Sequence, residues 1–316
     1  GLVGSEMCIR DSHCDLLSKI ITDQADFSSP HPGQMVSRDG LKTGGVCLQV
    51  FALWHDPRLE SSPLVQCRSM AAEYRRLLAD YPELRRVSAG HEPKAGEVET
   101  ALVLEGGEAL LEKGASLLEF WEAGVLALSL TWNMDNPLAG AAEGRTGNGL
   151  TALGKQMVLE AKHLGMAIDV SHLSDKGICD ILDMRDVPVF ASHSNCRSIF
   201  NCRRSLPDET IRRISDRGGV VGVNFFHEHL GTPFPSTKEA AAQLRHLADV
   251  GGITCCAIGS DFDGIPYGLS DLQTSGEFQR LVPALKNVGF SEDEIEMVLY
   301  KNLRGFLCGL SVNPTG

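Results

Sequence analysis

A chain of 316 residues, 43% apolar and 22% charged, can bury a large core, and about 300 residues is an ordinary length for a one-domain α/β barrel. The formal charge of −12 argues against nucleic acid, whose phosphates need a basic face. The longest apolar runs fall far short of the ~18–20 residues of a membrane helix, so no membrane partner is expected.

Ten cysteines without a CxxC pair argue against a thiolate zinc site and read as buried free thiols of a reducing compartment. The first residues, GLVGSEMCIRDS, have neither the basic start nor the apolar stretch of a signal peptide. No apolar tail follows Leu310, and the expected location is cytoplasmic. Residues 1–6 are expected to be non-native or disordered.

In chain order, Met7–Ile9 predicts a short strand running into Asp11-Ser12-His13-Cys14-Asp15. Residues two apart on a strand share a face, so His13 and Asp15 can both turn inward. Residues 23–42 predict a long loop. Gly44-Gly45 then opens a buried-type strand, Val46–Ala52. Met70, Tyr74, Leu77 and Leu78 set a helix from about Val65 to Tyr81. The strand Thr100–Leu104 runs into Glu105, a carboxylate directly before Gly106-Gly107, where the backbone can be approached closely. A helix over Ala109–Ala123 and a strand over Val125–Thr131 follow, the latter running into Trp132-Asn133. A Gly, Ala and Asn-rich loop spans 135–149, and Thr151 opens a helix to Leu164.

Residues 165–194 contain the same event twice. The apolar run Met166–Val170 leads to His172, a helix opens at Ser174-Asp175, and a second apolar run, Val187–Ala191, leads to His193. Side by side in a parallel sheet, two such imidazoles can share a metal or a substrate. Arg204 lies in the loop before the helix start at Pro207-Asp208. Val220–Phe225 is a buried strand, 236–250 a helix, and Cys256–Gly259 the final strand, leading into Ser260-Asp261-Phe262-Asp263-Gly264. Ser291 and Glu294 make a capping box for a last helix reaching about Leu307.

Eight strand candidates, near residues 7, 46, 101, 125, 166, 188, 220 and 256, predict a (β/α)8 TIM-like barrel of the metal-dependent hydrolase type, spanning 1–316 as one domain. A doubly wound open sheet is the runner-up, but no GxGxxG or P-loop follows a strand. His13, Asp15, Glu105, His172, His193 and Asp261 fall where a barrel places its active site. They suffice for two divalent ions bridged by one carboxylate, the machinery of metal-assisted hydrolysis. Asp261 can take and return a proton. Imidazole and carboxylate without thiolate favour zinc, with manganese or iron as the alternatives the same donors can hold.

These residues also carry a resemblance. DSHCDLL, LEGGEAL, GLTALGKQMVLEAKHLGMAIDVSHLSD, PVFASHSNCRS, RRSLPDETIRRISDRGGVVGVNFF and AIGSDFDG occur in the order found in the membrane dipeptidase (renal dipeptidase, peptidase M19) family of the amidohydrolase superfamily. The chain resembles its soluble bacterial branch over nearly its whole length. The resemblance implies two Zn2+ per chain, with His13 and Asp15 on one, His172 and His193 on the other, and Glu105 bridging. It implies that Arg204 meets the substrate's carboxylate and that Asp261 is the acid/base. One position departs: the mammalian members have Thr-His where this chain has Thr131-Trp132-Asn133, so either Asn133 or a neighbour supplies the missing contact to the scissile carbonyl or the substrate range differs.

The implied reaction is hydrolysis of a dipeptide, with tolerance for a D residue at the carboxyl side, by a hydroxide bridging the two metals. The alternatives are deacylation of a small N-acyl amino acid and a ligand-binding barrel without turnover. A homodimer is the candidate assembly.

Overall fold

The computed structural model describes residues 8–23 and 25–310; the expectations for residues 1–6 and for Met7 lie outside them. The described residues form nine strands: β1 (Ile9–Cys14), β2 (Val46–Trp54), β3 (Leu84–Arg86), β4 (Val98–Glu105), β5 (Val125–Ser129), β6 (Ala167–Asp169), β7 (Val189–Phe190), β8 (Val221–Val223) and β9 (Cys256–Ile258). All pair in parallel, in the order β7-β6-β5-β4-β2-β1-β9-β8. A parallel bridge between Ala191 and Val221 closes the ring. β3 pads the outer edge of β4. The result is the eight-stranded TIM-like barrel that the sequence predicts.

Strand alternation divides the apolar residues between two layers. Leu48, Val50, Ala52, Ala101, Val103, Ala127, Ala167 and Ala257 form one cluster, floored by Leu303 and Leu307 of the final helix. Their alternates Phe51, Leu53, Leu102, Leu104, Leu128 and Ile168 pack with the surrounding helices in the other. Each large side chain buried this way contributes about 1.5–3 kcal/mol. No helix of the described residues is long and apolar enough to cross a membrane.

Four local expectations are corrected. The helix expected over 109–123 is a 3-10 turn, Gly107–Leu111, and a separate helix, Leu117–Ala123. Gly114, at φ +85°, breaks the run, and Ser116 restarts it by accepting a hydrogen bond from the Glu119 N–H. The loop expected over 23–42 contains the helix Arg38–Thr43, capped by Ser37. The last helix is interrupted by a π turn, Met297–Lys301. Cys47 is not a free thiol: the register of Ile9 with Val46 brings Cys8 and Cys47 to a Cα separation of 5.5 Å, and the two are paired. The other eight cysteines are free.

Candidate metal centre

Between Asp11 and Cys14 the register of β1 against β2 slips by one residue. This bulge re-aims consecutive side chains. Ser12 reaches the backbone oxygens of Ser192 and Ile258, at 2.5 and 2.7 Å, while His13 turns toward Glu105, the last residue of β4. Asp11, fully buried, pins the seam between β1 and β9. It accepts from the Ser260 N–H and hydroxyl at 2.8 and 2.6 Å and from Gln49 Nε2 at 2.9 Å.

Asp169 does the same for β6 and β7. Its carboxylate accepts from the N–H and hydroxyl of Ser171, at 3.1 and 2.7 Å, and of Ser192, at 3.0 and 2.5 Å. Ser192 Oγ in turn accepts from His193 Nδ1 at 2.7 Å, and Asn133 Oδ1 accepts from His172 Nδ1, also at 2.7 Å. Both imidazoles are thereby held with hydrogen on Nδ1 and the Nε2 lone pair free to serve as a ligand. Asn133, expected as a substrate contact, thus has its carbonyl oxygen committed to the His172 ring.

Glu105 stands at the middle. Its Oε1 is 2.8 Å from His172 Nε2 and 3.5 Å from His193 Nε2, and its Oε2 is 3.4 Å from His13 Nε2. His13 Nε2 lies 3.4 Å from Asp15 Oδ2 and 4.0 Å from Asp261 Oδ1. Two donor sets result, His13–Asp15–Glu105 and Glu105–His172–His193, each with ligand atoms within 4.8 Å of one another. His13, His193 and Asp261 make a third grouping of the same kind.

The residues fit divalent cations on their own evidence. His13 Nε2 and Asp15 Oδ1 are buried with no hydrogen-bond partner, an arrangement costly to leave unsatisfied. Burial and the nearby Arg204 charge push the His172 pKa down to about 4, and burial beside His13 and His172 holds His193 well below its usual range. Both rings stay neutral, the form a metal binds. Burial acts the same way on His13, but Glu105 and Asp15 outweigh it and hold its pKa high. Burial would also raise Glu105, yet the charge of His13 and the close approach of the His13 and His172 rings keep it well below the carboxylate range.

Asp261 stands at φ +62°, a strained position for a residue with a side chain. Its Oδ2 accepts from Asn224 Nδ2 at 2.9 Å. Burial, opposed by His13 and reinforced by Asp15 and Glu105, raises its pKa to about 7. A Cβ at Gly264 would collide with the carboxylates of Asp15 and Asp261, so only glycine lets these approach. Arg204 is 4% exposed. Its Nη2 is 3.1 Å from His172 Nε2, and its Nη1 is buried without a partner.

All the predicted site residues except His13, which is fully buried beneath, line one cleft of about 570 Å³, walled by Trp54, Trp132, Phe226 and His229. A cavity of about 600 Å³ opens beside the amino ends of β7 and β8, between Val187-Pro188, Gly218 and the final helix. It gathers none of these donors, and barrel enzymes work at the opposite, carboxyl face.

Sequence reasoning does not single out Asp11, Asp169, Ser192 or Asn224. A signal for the first two exists: each is a lone carboxylate beside or within an apolar strand segment, a place that demands several hydrogen bonds.

The family model described as Membrane dipeptidase (Peptidase family M19) matches residues 2–305. A Schizosaccharomyces pombe protein named as an uncharacterised dipeptidase is 32% identical over 216 residues, 66% of this chain and 52% of the relative. Dipeptidase 3 of Mus musculus is 32% identical over 240 residues, 72% of this chain and 48% of the relative. The chain thus spans about half the length of these curated relatives. Among solved structures, a metallo peptidase from Rhodobacter sphaeroides, liganded with a phosphinate mimic of the dipeptide L-Ala-D-Ala, superposes with a TM-score of 0.87 at 22% identity, covering 96% of this chain and 99% of the other.

Proposed function

Because the chain belongs to the membrane dipeptidase family, peptidase family M19, we propose that it is a metallo-dipeptidase. In this reading it holds two divalent ions, zinc by the chemistry of the donors, and hydrolyses dipeptides, including those with a D residue at the carboxyl side. The observation that carries the reading is one shared carboxylate: Glu105 lies between His13 with Asp15 on one side and His172 with His193 on the other.

His13 and Asp15 would hold one ion, His172 and His193 the other, with Glu105 shared between them. Bound there, such ions lower the pKa of water and act as Lewis acids toward a carbonyl. The remaining roles belong to the chain. Asn133 and Ser192 keep the two imidazoles aimed. Asp261, with a pKa near 7, can both accept a proton and return it at neutral pH. The unpartnered Nη1 of Arg204 meets the free carboxylate that marks a dipeptide. Trp132 walls the cleft where mammalian members carry histidine, and it offers no hydrogen-bond acceptor.

A second reading, deacylation of an N-acyl amino acid, uses the same residues, because that substrate also ends in a carboxylate for Arg204. Elemental analysis of protein purified without chelator, followed by a panel of dipeptides and N-acyl amino acids, separates the two. Two metal equivalents and faster turnover of dipeptides are expected. Preferred turnover of N-acyl amino acids would transfer the assignment to the second reading, and saturation at one equivalent would end the dinuclear one.

A further inference from the structure

Glu143 belongs to the loop 135–149, which is cross-linked by hydrogen bonds. The Asp135 carboxylate accepts from the N–H groups of Ala141, Arg145 and Thr146 at 2.8, 2.9 and 3.0 Å. Gly144 leaves room for that carboxylate, which a Cβ there would strike. Arg203 Nη2 then donates to the Gly144 oxygen at 2.7 Å, tying this loop to the one that carries Arg204. Glu143 and Arg204, each the chain neighbour of one partner in that bond, come to line the same cleft.

The charges around the cleft are unequal. Two of its cations are engaged: Arg58 with Asp56 at 2.6 Å, and Lys19 with Asp263 at 3.6 Å and the Gly33 oxygen at 3.3 Å. Glu143 is exposed and makes no hydrogen bond or ion pair among the described residues. Glu228, also exposed, adds a second carboxylate to the lining. Arg204, buried with Nη1 unpartnered, points to an anionic ligand group in the same space.

We propose that Glu143 reads the side chain of the substrate's carboxyl-terminal residue and selects a cationic one, lysine or arginine. The inference rests on the dipeptidase reading above. A carboxylate docked on Arg204 places its own residue's side chain nearby, and the four-carbon stem of lysine can carry an ammonium to Glu143 while its methylenes cover the apolar wall.

The test compares kcat/KM for alanyl-lysine, alanyl-norleucine and alanyl-glutamate, each with an L and a D second residue, on the metal-loaded wild type and on Glu143→Gln. Lysine should exceed norleucine about 3- to 10-fold at low salt, the scale of an ion pair at a cleft edge, and glutamate should be poorest. The lysine advantage should shrink at about 0.5 M salt and fall toward unity in Glu143→Gln. Turnover with lysine and norleucine equal, or a preference that survives Glu143→Gln, would overturn this inference alone. No turnover of any of them by metal-loaded protein would overturn it together with the dipeptidase reading.

Discussion

Asp169→Asn is the most informative single change, because Asp169 touches neither the cleft nor a proposed metal position. Its carboxylate accepts four hydrogen bonds, from the N–H and hydroxyl of Ser171 and of Ser192, at 2.5–3.1 Å in a fully buried setting. An asparagine can keep the three bonds to Oδ1, now without the charge, and turns its NH2 group toward the Ser192 hydroxyl. One charge-assisted bond, worth about 1.5–3 kcal/mol, is lost and three become neutral. The Ser192 hydroxyl can partly adapt by accepting from the new amide, leaving a net loss of about 2–4 kcal/mol. For a chain of this size that lowers Tm by roughly 3–6 °C. Melting should be followed in chelator, so that metal binding does not enter the stability measurement. A second readout is metal competition: with Ser192 no longer anchored, His193 is less firmly aimed, and affinity at its site should fall about 10- to 100-fold. Ser192→Ala separates the two effects. It removes the acceptor for His193 Nδ1 but only one of the four bonds to Asp169, so it should weaken metal binding as much while costing about 1 kcal/mol of stability. Unchanged Tm and unchanged metal affinity in Asp169→Asn would refute the reasoning.

Three further outcomes are expected. Glu105→Gln should weaken both metal positions together, whereas His172→Ala should empty mainly one; elemental analysis after dialysis reads the difference, and loss of a single equivalent in Glu105→Gln would contradict the bridging role. Asp261→Asn should keep Tm within a few degrees and lower turnover by roughly 10²-fold in metal-loaded protein; near-normal turnover would remove Asp261 from proton transfer. Arg204→Met should slow a free dipeptide and its carboxamide to similar final rates. The two changes should therefore be non-additive in a double cycle, and additive losses would show that Arg204 never meets the carboxylate.

How legible each part of the centre is in the amino-acid sequence depends on how its residues act. His172 and His193 are legible because each follows an apolar run at the same interval, and a parallel sheet turns that repetition into proximity. Glu105 is legible as a carboxylate ending a buried strand before two glycines. The bulge at Ser12-His13 is not, since a register slip depends on the partner strand, which no local pattern records. The family resemblance points Asn133 at the substrate, and only geometry connects its oxygen to His172. The split of the helix expected over 109–123 has a visible cause in Gly114 and Ser116, which the apolar spacing on either side of them masks. Strand β3 is three residues long and carries two arginines, too short and too polar for a periodicity to register.

The seam between β1 and β9 also bears on the order of assembly. Asp11 and Ser260 are 249 residues apart in sequence, and Ser12 and Ile258 are 246 apart. Contacts of such separation form late, after the loop-closure entropy of the whole intervening chain has been overcome. His13 takes its orientation from that seam, whereas His172 and His193 belong to neighbouring strand–helix units and can meet much earlier. A chain emerging from the ribosome can therefore join its two imidazoles around Glu105 before the first donor pair has a wall to lean on. By this contact-order argument the two halves of the centre would be completed at different times, the second when the ring closes.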